Sequence, residues 1–210
     1  MIKILIADDH AIVRQGLKQT VADQPDMEVV GEARDAAEAL KLVRGSAWDV
    51  VVLDITMPGR SGLDLLKELK AERPRLPVLI LSMHSEEQFA VRALKAGASG
   101  YITKQSAPKE LINAIRKVHR GGKYVSPSIT ETLVFALGAD YERAPHEALS
   151  DREYQVLCMI ARGATLKEIA VELALSEKTI STYRVRVLEK MDMKRNAELI
   201  RYALQKELVS

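Results

Sequence analysis

The chain has 210 residues, 47% of them hydrophobic and 29% charged, which predicts folded domains able to bury a core and argues against a disordered chain. Its formal net charge is only +2, so any nucleic-acid surface must be a local basic patch. A single cysteine excludes a disulfide framework and a cysteine-based zinc site. Because no apolar run could span a membrane and no signal-peptide pattern is present, we expect a cytoplasmic protein without membrane contact.

Short apolar segments alternate with amphipathic helical patterns over residues 1–121. The segments are ILIA, EVVGEA, DVVVLDI, PVLILS and GYITK. This alternation predicts βαβ units, and the uninterrupted apolar runs VVVLDI and VLILS are typical of central parallel strands that helices cover on both faces. We therefore predict an α/β doubly wound domain with a five-stranded parallel sheet.

Polar side chains follow four of these strands. Asp8 and Asp9 come after the first, Asp54 after the third, Ser82 after the fourth and Lys104 after the fifth. The carboxyl ends of parallel strands form one edge of the sheet, where ligands bind, so we expect these side chains to converge. Adjacent carboxylates repel each other, and their oxygens suit a hard cation such as Mg²⁺.

This set of side chains also suits phosphoryl transfer. A carboxylate such as Asp54 can attack phosphorus and form an acyl phosphate when nearby cations neutralise the transferring group. Lys104 would supply a fixed positive charge, and the Ser82 hydroxyl could donate a hydrogen bond to a phosphoryl oxygen. The histidines show no metal-ligand spacing, and the sequence assigns none of them to the site: His10, His84, His119 and His146.

The rest of the chain reads as a linker followed by an all-α domain. Residues 122–148 contain prolines and glycines around one helical stretch, ITETLVFALG, and predict a linker with an embedded helix. Residues 149–210 contain four short helical patterns. The first begins with a capping box formed by Ser150 and Glu153, and Ser176 is predicted to cap the third. The second and third are joined by a tight turn, which is typical of a helix-turn-helix.

The third of these helices is the predicted DNA-binding element. Residues 176–195 hold six basic and three acidic residues, so a local positive face could contact phosphates. The core-facing residues on this helix are predicted to be Ile180, Val187, Leu188 and Met191. Thr179 is assigned to DNA contact in general, and base reading is assigned to Ser181, Thr182 and Val185. Phosphate contacts are assigned to Lys178, Tyr183, Arg184, Arg186 and Lys190.

Both halves resemble known families. The DD after strand one, the D followed by MPG, the S after strand four and the K after GY resemble the receiver domain of bacterial two-component response regulators, which has a CheY-like, flavodoxin-like fold. The stretch from LSDRE through KEIA to LSEKTI resembles the DNA-binding domain of LuxR/NarL-type regulators. Leu166 and Tyr183 depart from residues frequent in that domain, which bears on the DNA contacts at those positions.

The resemblance implies a role for each receiver residue. Asp54 would be the phospho-acceptor, and Lys104 would contact the phosphoryl group. Ser82 and Tyr101 would be the pair that changes packing on phosphorylation. The ligands of Mg²⁺ (or Mn²⁺) would be Asp8, Asp9, Asp54 and the backbone carbonyl of Thr56.

We therefore expect a phosphorylation-dependent transcriptional regulator and not an enzyme. Its partners would be a sensor histidine kinase and paired half-sites in double-stranded promoter DNA, bound by a homodimer. Phosphorylation would either release a blocked DNA-binding domain or create a dimer interface. Two alternatives remain open: a phosphatase or phosphomutase, whose D-x-D-x-T pattern lacks its second aspartate here, and a receiver whose helical domain binds protein.

Overall fold

The computed structural model describes residues 1–83, 86–105, 108–125 and 144–209, with only the backbone of residues 86–88. The chain divides into two compact units, Met1–Val134 and Phe135–Ser210. The predicted linker helix lies outside the described residues, and the domain limits 1–121, 122–148 and 149–210 stay predictions. In the part of the chain that is described, each helix is too short or too polar to span a bilayer.

The first unit is a parallel sheet between two layers of helices. The described strands are β1 (Ile2–Ala7), β2 (Met27–Ala33), β3 (Val50–Asp54), β4 (Val78–Ser82) and β5 (Gly100–Thr103), all parallel, in the order β2-β1-β3-β4-β5. The helices between and after them are α1 (Ala11–Ala22), α2 (Ala36–Gly45), α3 (Gly62–Glu72), α4 (Glu86–Lys95) and α5 (Pro108–His119). The predicted doubly wound five-stranded sheet is confirmed.

The apolar pattern of the strands explains the position of the sheet. Every residue of β3 and β4 is buried, which matches their uninterrupted apolar runs. The strand order reverses direction between β1 and β3, and the crevice at such a switch point opens at the carboxyl ends of the strands. The residues that follow β1 and β3 therefore face each other across that crevice.

The chain returns to the sheet after α5. Gly121 adopts a φ of +85°, a left-handed conformation that favours glycine, and reverses the chain direction. Tyr124, which is not part of any strand, then forms a parallel bridge with Gly100 of β5. The outer edge of β5 is thus partly covered by residues beyond α5.

The second unit is helical over its described residues. A short 3₁₀ turn, Pro145–Ala148, precedes α6 (Asp151–Ala161), α7 (Leu166–Glu172), α8 (Glu177–Lys190) and α9 (Asn196–Gln205). The predicted capping box is confirmed, because the Ser150 N–H donates to Glu153 Oε2 and the Glu153 N–H donates to Ser150 Oγ. A second capping box at Thr165 and Glu168 was not predicted.

The helix-turn-helix is built from α7 and α8. Ile169 of α7 and Ile180 of α8 are fully buried in a common apolar core with Val156 of α6. Ala174, in the turn between α7 and α8, has a φ of +51°, and Ser176 then caps α8 by accepting the Thr179 N–H. The predicted cap of the third helix is thereby confirmed.

Candidate functional site

An acidic pocket lies where β1 and β3 end. Asp8 and Asp54 are almost fully buried, with 1% and 2% of their surface exposed. Asp8, Asp9, His10 and Asp54 each offer one possible ligand atom, and these atoms all lie within 4.8 Å of one another. The structure therefore brings together the three carboxylates that the strand ends place at one edge.

Lys104 reaches into this pocket from the end of β5. Its Nζ lies 2.6 Å from Asp8 Oδ2 and 2.7 Å from Asp54 Oδ2, and only 6% of its side chain is exposed. Burial lowers the pKa of Lys104, but the two carboxylates outweigh burial and hold that pKa above its ordinary value. The ammonium group is thus a permanent positive charge at physiological pH.

The Asp54 carboxylate is held in place by two hydrogen bonds. Its Oδ1 accepts the Thr56 N–H at 3.1 Å, and its Oδ2 accepts from Lys104. Burial raises the pKa of Asp54 to about 6, because Lys104 offsets the loss of solvation only in part and the charge of Asp8 adds to it. A carboxyl group with that pKa is about nine-tenths ionised at pH 7.

The backbone of Asp54 is supported by the start of α3. The Gly62 N–H donates to the Ile55 carbonyl at 2.8 Å, and a β-carbon at position 62 would lie 1.9 Å from the Asp54 carbonyl oxygen. Ser61, which is fully buried, caps α3 by accepting the Leu63 N–H. Gly62 was not predicted from the sequence, where the only signal was its place at the start of an amphipathic helix soon after MPG.

His10, to which the sequence assigned no role, lies beside the pocket. Its N–H donates to Asp8 Oδ1 at 2.8 Å, and its Nδ1 lies 2.8 Å from Asp9 Oδ1. Arg14 adds a further contact, from Nη1 to the Asp8 carbonyl at 2.8 Å. The available signal was the position of His10 directly after the paired aspartates.

The donor set of the pocket fits a divalent cation. Asp8 Oδ2 and Asp9 Oδ1 are buried, and in the described part of the chain Lys104 Nζ lies 2.6 Å from the first and His10 Nδ1 lies 2.8 Å from the second. Carboxylate oxygens that cluster in one pocket are the ligands that Mg²⁺ and Mn²⁺ prefer. The Thr56 carbonyl stays a predicted ligand.

The predicted switch pair lies on the two strands beside the pocket. Ser82 ends β4 and is fully buried, and its carbonyl accepts the Lys104 N–H at 2.7 Å. Tyr101 lies on β5 opposite Ile80, and only 1% of it is exposed. The Tyr101 side chain is therefore inside the unit.

Helix α8 has a buried face and an exposed face. Ile180 and Val187 are fully buried, and Leu188 and Met191 are buried to at least nine-tenths, which confirms the predicted core face. Of the predicted DNA-contact residues, those exposed are Lys178, Thr182, Val185, Arg186 and Lys190. Those half-buried are Thr179, Ser181, Tyr183 and Arg184.

Three of these residues have partners within the second unit. Arg184 Nε donates to Asn196 Oδ1 at 2.6 Å, and Lys190 Nζ donates to Glu153 Oε2 at 2.6 Å. Tyr183 packs against the apolar core of the unit. These contacts hold α8 against α6 and α9. Among the described residues, Lys178 and Arg186 are therefore the cations on α8 with the fewest contacts to the rest of the unit.

Comparisons with known proteins agree with a two-part chain. Residues 4–116 match the family model of the response regulator receiver domain, and residues 147–203 match that of the bacterial regulatory proteins of the LuxR family. The chain is 37% identical over 210 residues to the response regulator GacA of Pseudomonas aeruginosa, a match that covers 100% of this chain and 98% of GacA. It is 39% identical over 214 residues to the oxygen regulatory protein NreC of Staphylococcus carnosus, covering 99% of each. A structure of RcsB from Salmonella enterica serovar Typhimurium, bound to promoter rprA in the presence of the phosphomimetic BeF3⁻, is 27% identical with a TM-score of 0.64, and the match covers 96% of this chain and 97% of that one.

Proposed function

Because this chain belongs to the LuxR-family response regulators, which are DNA-binding transcriptional regulators with a receiver domain, we propose that phosphorylation of Asp54 controls its binding to promoter DNA. The observation that carries the proposal is the contact between Asp54 and Lys104 inside the acidic pocket. A buried, mostly ionised carboxylate beside a fixed ammonium group is suited to accept an anionic phosphoryl group.

The phosphoryl donor is the phosphohistidine of a sensor histidine kinase. An oxygen of Asp54 attacks phosphorus, the bond from phosphorus to the imidazole nitrogen breaks, and an acyl phosphate forms. Lys104 stabilises the negative charge of the transferred group, and the Ser82 hydroxyl donates to one of its oxygens. Thr56 orients the acceptor through its N–H.

The acidic residues would hold the cation that this chemistry requires. Asp8, Asp9, Asp54 and the Thr56 carbonyl would bind Mg²⁺ or Mn²⁺, which when bound neutralises charge on the phosphoryl oxygens. The clustering of ligand atoms from Asp8, Asp9 and Asp54 within 4.8 Å of one another supports this assignment. Asp54 is modified once per chain, so we propose a switch and not an enzyme with turnover of an external substrate.

The phosphoryl group changes the packing around β4 and β5. Ser82 moves toward the new oxygens, and Tyr101 stabilises one of two packings of the adjacent surface. The result reaches DNA either by release of α8 or by formation of a homodimer. Leu204, an apolar residue of α9 that is 54% exposed, is a candidate dimer contact.

Helix α8 reads the major groove of the promoter. Its short exposed and half-buried side chains approach base edges, and its cations contact phosphates. The proposed contact set is Lys178, Thr179, Ser181, Thr182, Tyr183, Arg184, Val185, Arg186 and Lys190. A homodimer on paired half-sites doubles these contacts, and because chromosomal DNA is the target we place the protein in the cytoplasm.

The test combines phosphorylation with DNA binding. The wild-type chain is incubated with acetyl phosphate and MgCl₂, the mass of the intact chain is measured, and binding to genomic fragments is followed by gel shift. We expect one added phosphoryl group and a changed affinity for a subset of fragments. Asp54→Asn should lose both effects, and Asp23→Asn, an exposed aspartate at the end of α1, should lose neither.

The same experiment separates the alternatives. Phosphorylation of Asp54→Asn to the wild-type extent would contradict the proposal. Steady hydrolysis of a phosphomonoester by the wild type would favour a phosphatase, although Thr56 stands where that class has its second aspartate. Phosphorylation without any shifted DNA fragment would favour a protein partner for the helical unit.

A further inference from the structure

The chain that leaves α5 is fixed to the outer edge of β5. The Gly121 N–H donates to the Val118 carbonyl at 3.0 Å, and the Gly122 N–H donates to the Lys117 carbonyl at 3.0 Å, which ends the helix. Gly121, at a φ of +85°, then turns the chain back toward the sheet. Tyr124 therefore joins the edge of β5 through a one-residue bridge, although it follows the last helix of the unit.

Two backbone hydrogen bonds hold this segment. The Tyr101 N–H donates to the Tyr124 carbonyl at 3.1 Å, and the Tyr124 N–H donates to the Ser99 carbonyl at 2.9 Å. Gly100, between Ser99 and Tyr101, leaves room for this approach: a β-carbon there would lie 2.7 Å from the Tyr124 carbonyl oxygen. The close contact depends on a glycine at position 100.

Side chains strengthen the attachment. Lys123 Nζ donates to the Ala98 carbonyl at 2.6 Å, and Lys117 Nζ lies 5.8 Å from the centre of the Tyr124 ring, over its face. The Tyr124 side chain packs against the apolar core that contains Ile102 and Ile115. The segment is thus held by backbone, charge and apolar contacts together.

We propose that Tyr124 is a positioning residue for Tyr101, and that it transmits the repacking of β5 to the chain beyond residue 125. This inference rests on the proposed function. One edge of β5 pairs with β4, which carries Ser82, and its other edge pairs with Tyr124. A backbone shift at Tyr101 must either move Tyr124 or break their hydrogen bond, so the exit of the chain reports the state of the phosphoryl site.

The test uses the full chain and measures how phosphorylation changes DNA affinity. The probe is a genomic fragment that the wild type binds, and the measured quantity is the ratio of Kd before and after treatment with acetyl phosphate and MgCl₂. In the wild type we expect a ratio of about 5 to 150, the usual size of such coupling. Gly100→Ala should reduce the ratio to below about 2, while the extent of phosphorylation stays at the wild-type level.

Hydrogen exchange shows whether the bridge has opened. The Tyr101 and Tyr124 amides should exchange faster in Gly100→Ala than in the wild type. Gly16→Ala is the matched control, because a β-carbon at position 16 meets nothing within 4 Å, and it should change neither exchange nor the ratio. If the bridge had only a structural role, its loss would weaken DNA binding equally before and after phosphorylation. The ratio of the two Kd values would then stay unchanged.

The outcomes are distinct. Fast exchange at both amides with a wild-type ratio overturns this inference and leaves the proposed function intact. A ratio of one in the wild type overturns the proposed function itself. If Gly100→Ala does not fold, or leaves exchange unchanged, Tyr124→Pro removes the N–H that donates to Ser99, and its ratio is judged by the same criterion.

Discussion

Gly62 lies directly behind Asp54: a β-carbon on Gly62 would sit 1.9 Å from the Asp54 carbonyl oxygen and 2.8 Å from the Ile55 Cα. Both neighbours are backbone atoms, so no side-chain rotation could relieve the overlap. The first turn of α3 can approach the end of β3 this closely only without a side chain at position 62.

Replacing Gly62 by alanine should therefore destabilise the first unit. We expect a loss of about 1–3 kcal/mol or more in the free energy of unfolding, the cost of overpacking a rigid site, measured by urea denaturation. Gly16→Ala, also in a helix but facing open space, should instead gain up to about 1 kcal/mol. Equal effects of the two substitutions would contradict the close packing behind Asp54.

The Glu153–Lys190 pair should make the stability of the helical unit depend on pH. Burial raises the Glu153 pKa, but hydrogen bonds from Lys190 and from the Ser150 N–H outweigh burial and hold that pKa below its ordinary 4.5. A carboxyl whose pKa is lowered on folding stabilises the folded state fully above pH 4.5, and this stabilisation is lost as the pH falls through the folded-state pKa.

Glu153→Gln tests this dependence. At pH 7 we expect the variant to lose about 1–2 kcal/mol of unfolding free energy, because a charged hydrogen bond is replaced by a weaker one. The difference from the wild type should shrink in acid below pH 4.5, as thermal unfolding at several pH values would reveal. Glu172→Gln, on the exposed side of α7, is the control and should show almost no loss. If the difference in unfolding free energy were the same at every pH, the ion pair would not be the cause of the pH dependence.

Lys178 and Arg184 should affect DNA binding in different ways. Lys178 is exposed at the start of α8, so Lys178→Ala should weaken binding and reduce the slope of log Kd against log salt by about 0.9, the value for one phosphate contact. Arg184 is half-buried and bound to Asn196, so Arg184→Ala should also lower the melting temperature of the helical unit. Fluorescence anisotropy over a salt series and thermal denaturation distinguish the two, and an unchanged slope for Lys178→Ala would locate the phosphate contacts elsewhere.

The turn of the helix-turn-helix should be stabilised by glycine. Ala174 has a φ of +51°, a conformation that costs an alanine about 1–2 kcal/mol and a glycine almost nothing. Glycine has a larger chain entropy in the unfolded state, which offsets part of this gain. Ala174→Gly should therefore raise the free energy of unfolding by about 0.5–1 kcal/mol. Ala197→Gly, an exposed position in the first turn of α9, should lose a similar amount, so the opposite signs in denaturant unfolding provide the check.

The pattern of the sequence predicted most of the fold because periodicity reports burial directly. The apolar runs gave the strands, and capping residues such as Ser150 and Ser176 marked helix starts within one residue. The acidic pocket was also predictable, since strand ends of a parallel sheet must meet. The partners of Arg184 and Lys190 were not, because nothing local in a helical pattern indicates which basic side chain finds a distant carboxylate or amide.

Close approaches to backbone atoms could not be predicted from the sequence either. Gly62, Gly100 and Ala174 have ordinary sequence surroundings, and their roles depend on atoms that three-dimensional packing brings near them. The return of Tyr124 to β5 was missed for the same reason, because a one-residue bridge has no periodicity.

The pocket draws its side chains from three separated stretches, beginning at Asp8 and ending at Lys104, whose Nζ lies 2.6 Å from Asp8 Oδ2. During synthesis, the first aspartates leave the ribosome long before the lysine that balances them. A nascent or truncated chain that ends before β5 therefore holds the carboxylates of Asp8 and Asp54 without the ammonium group that balances their charge.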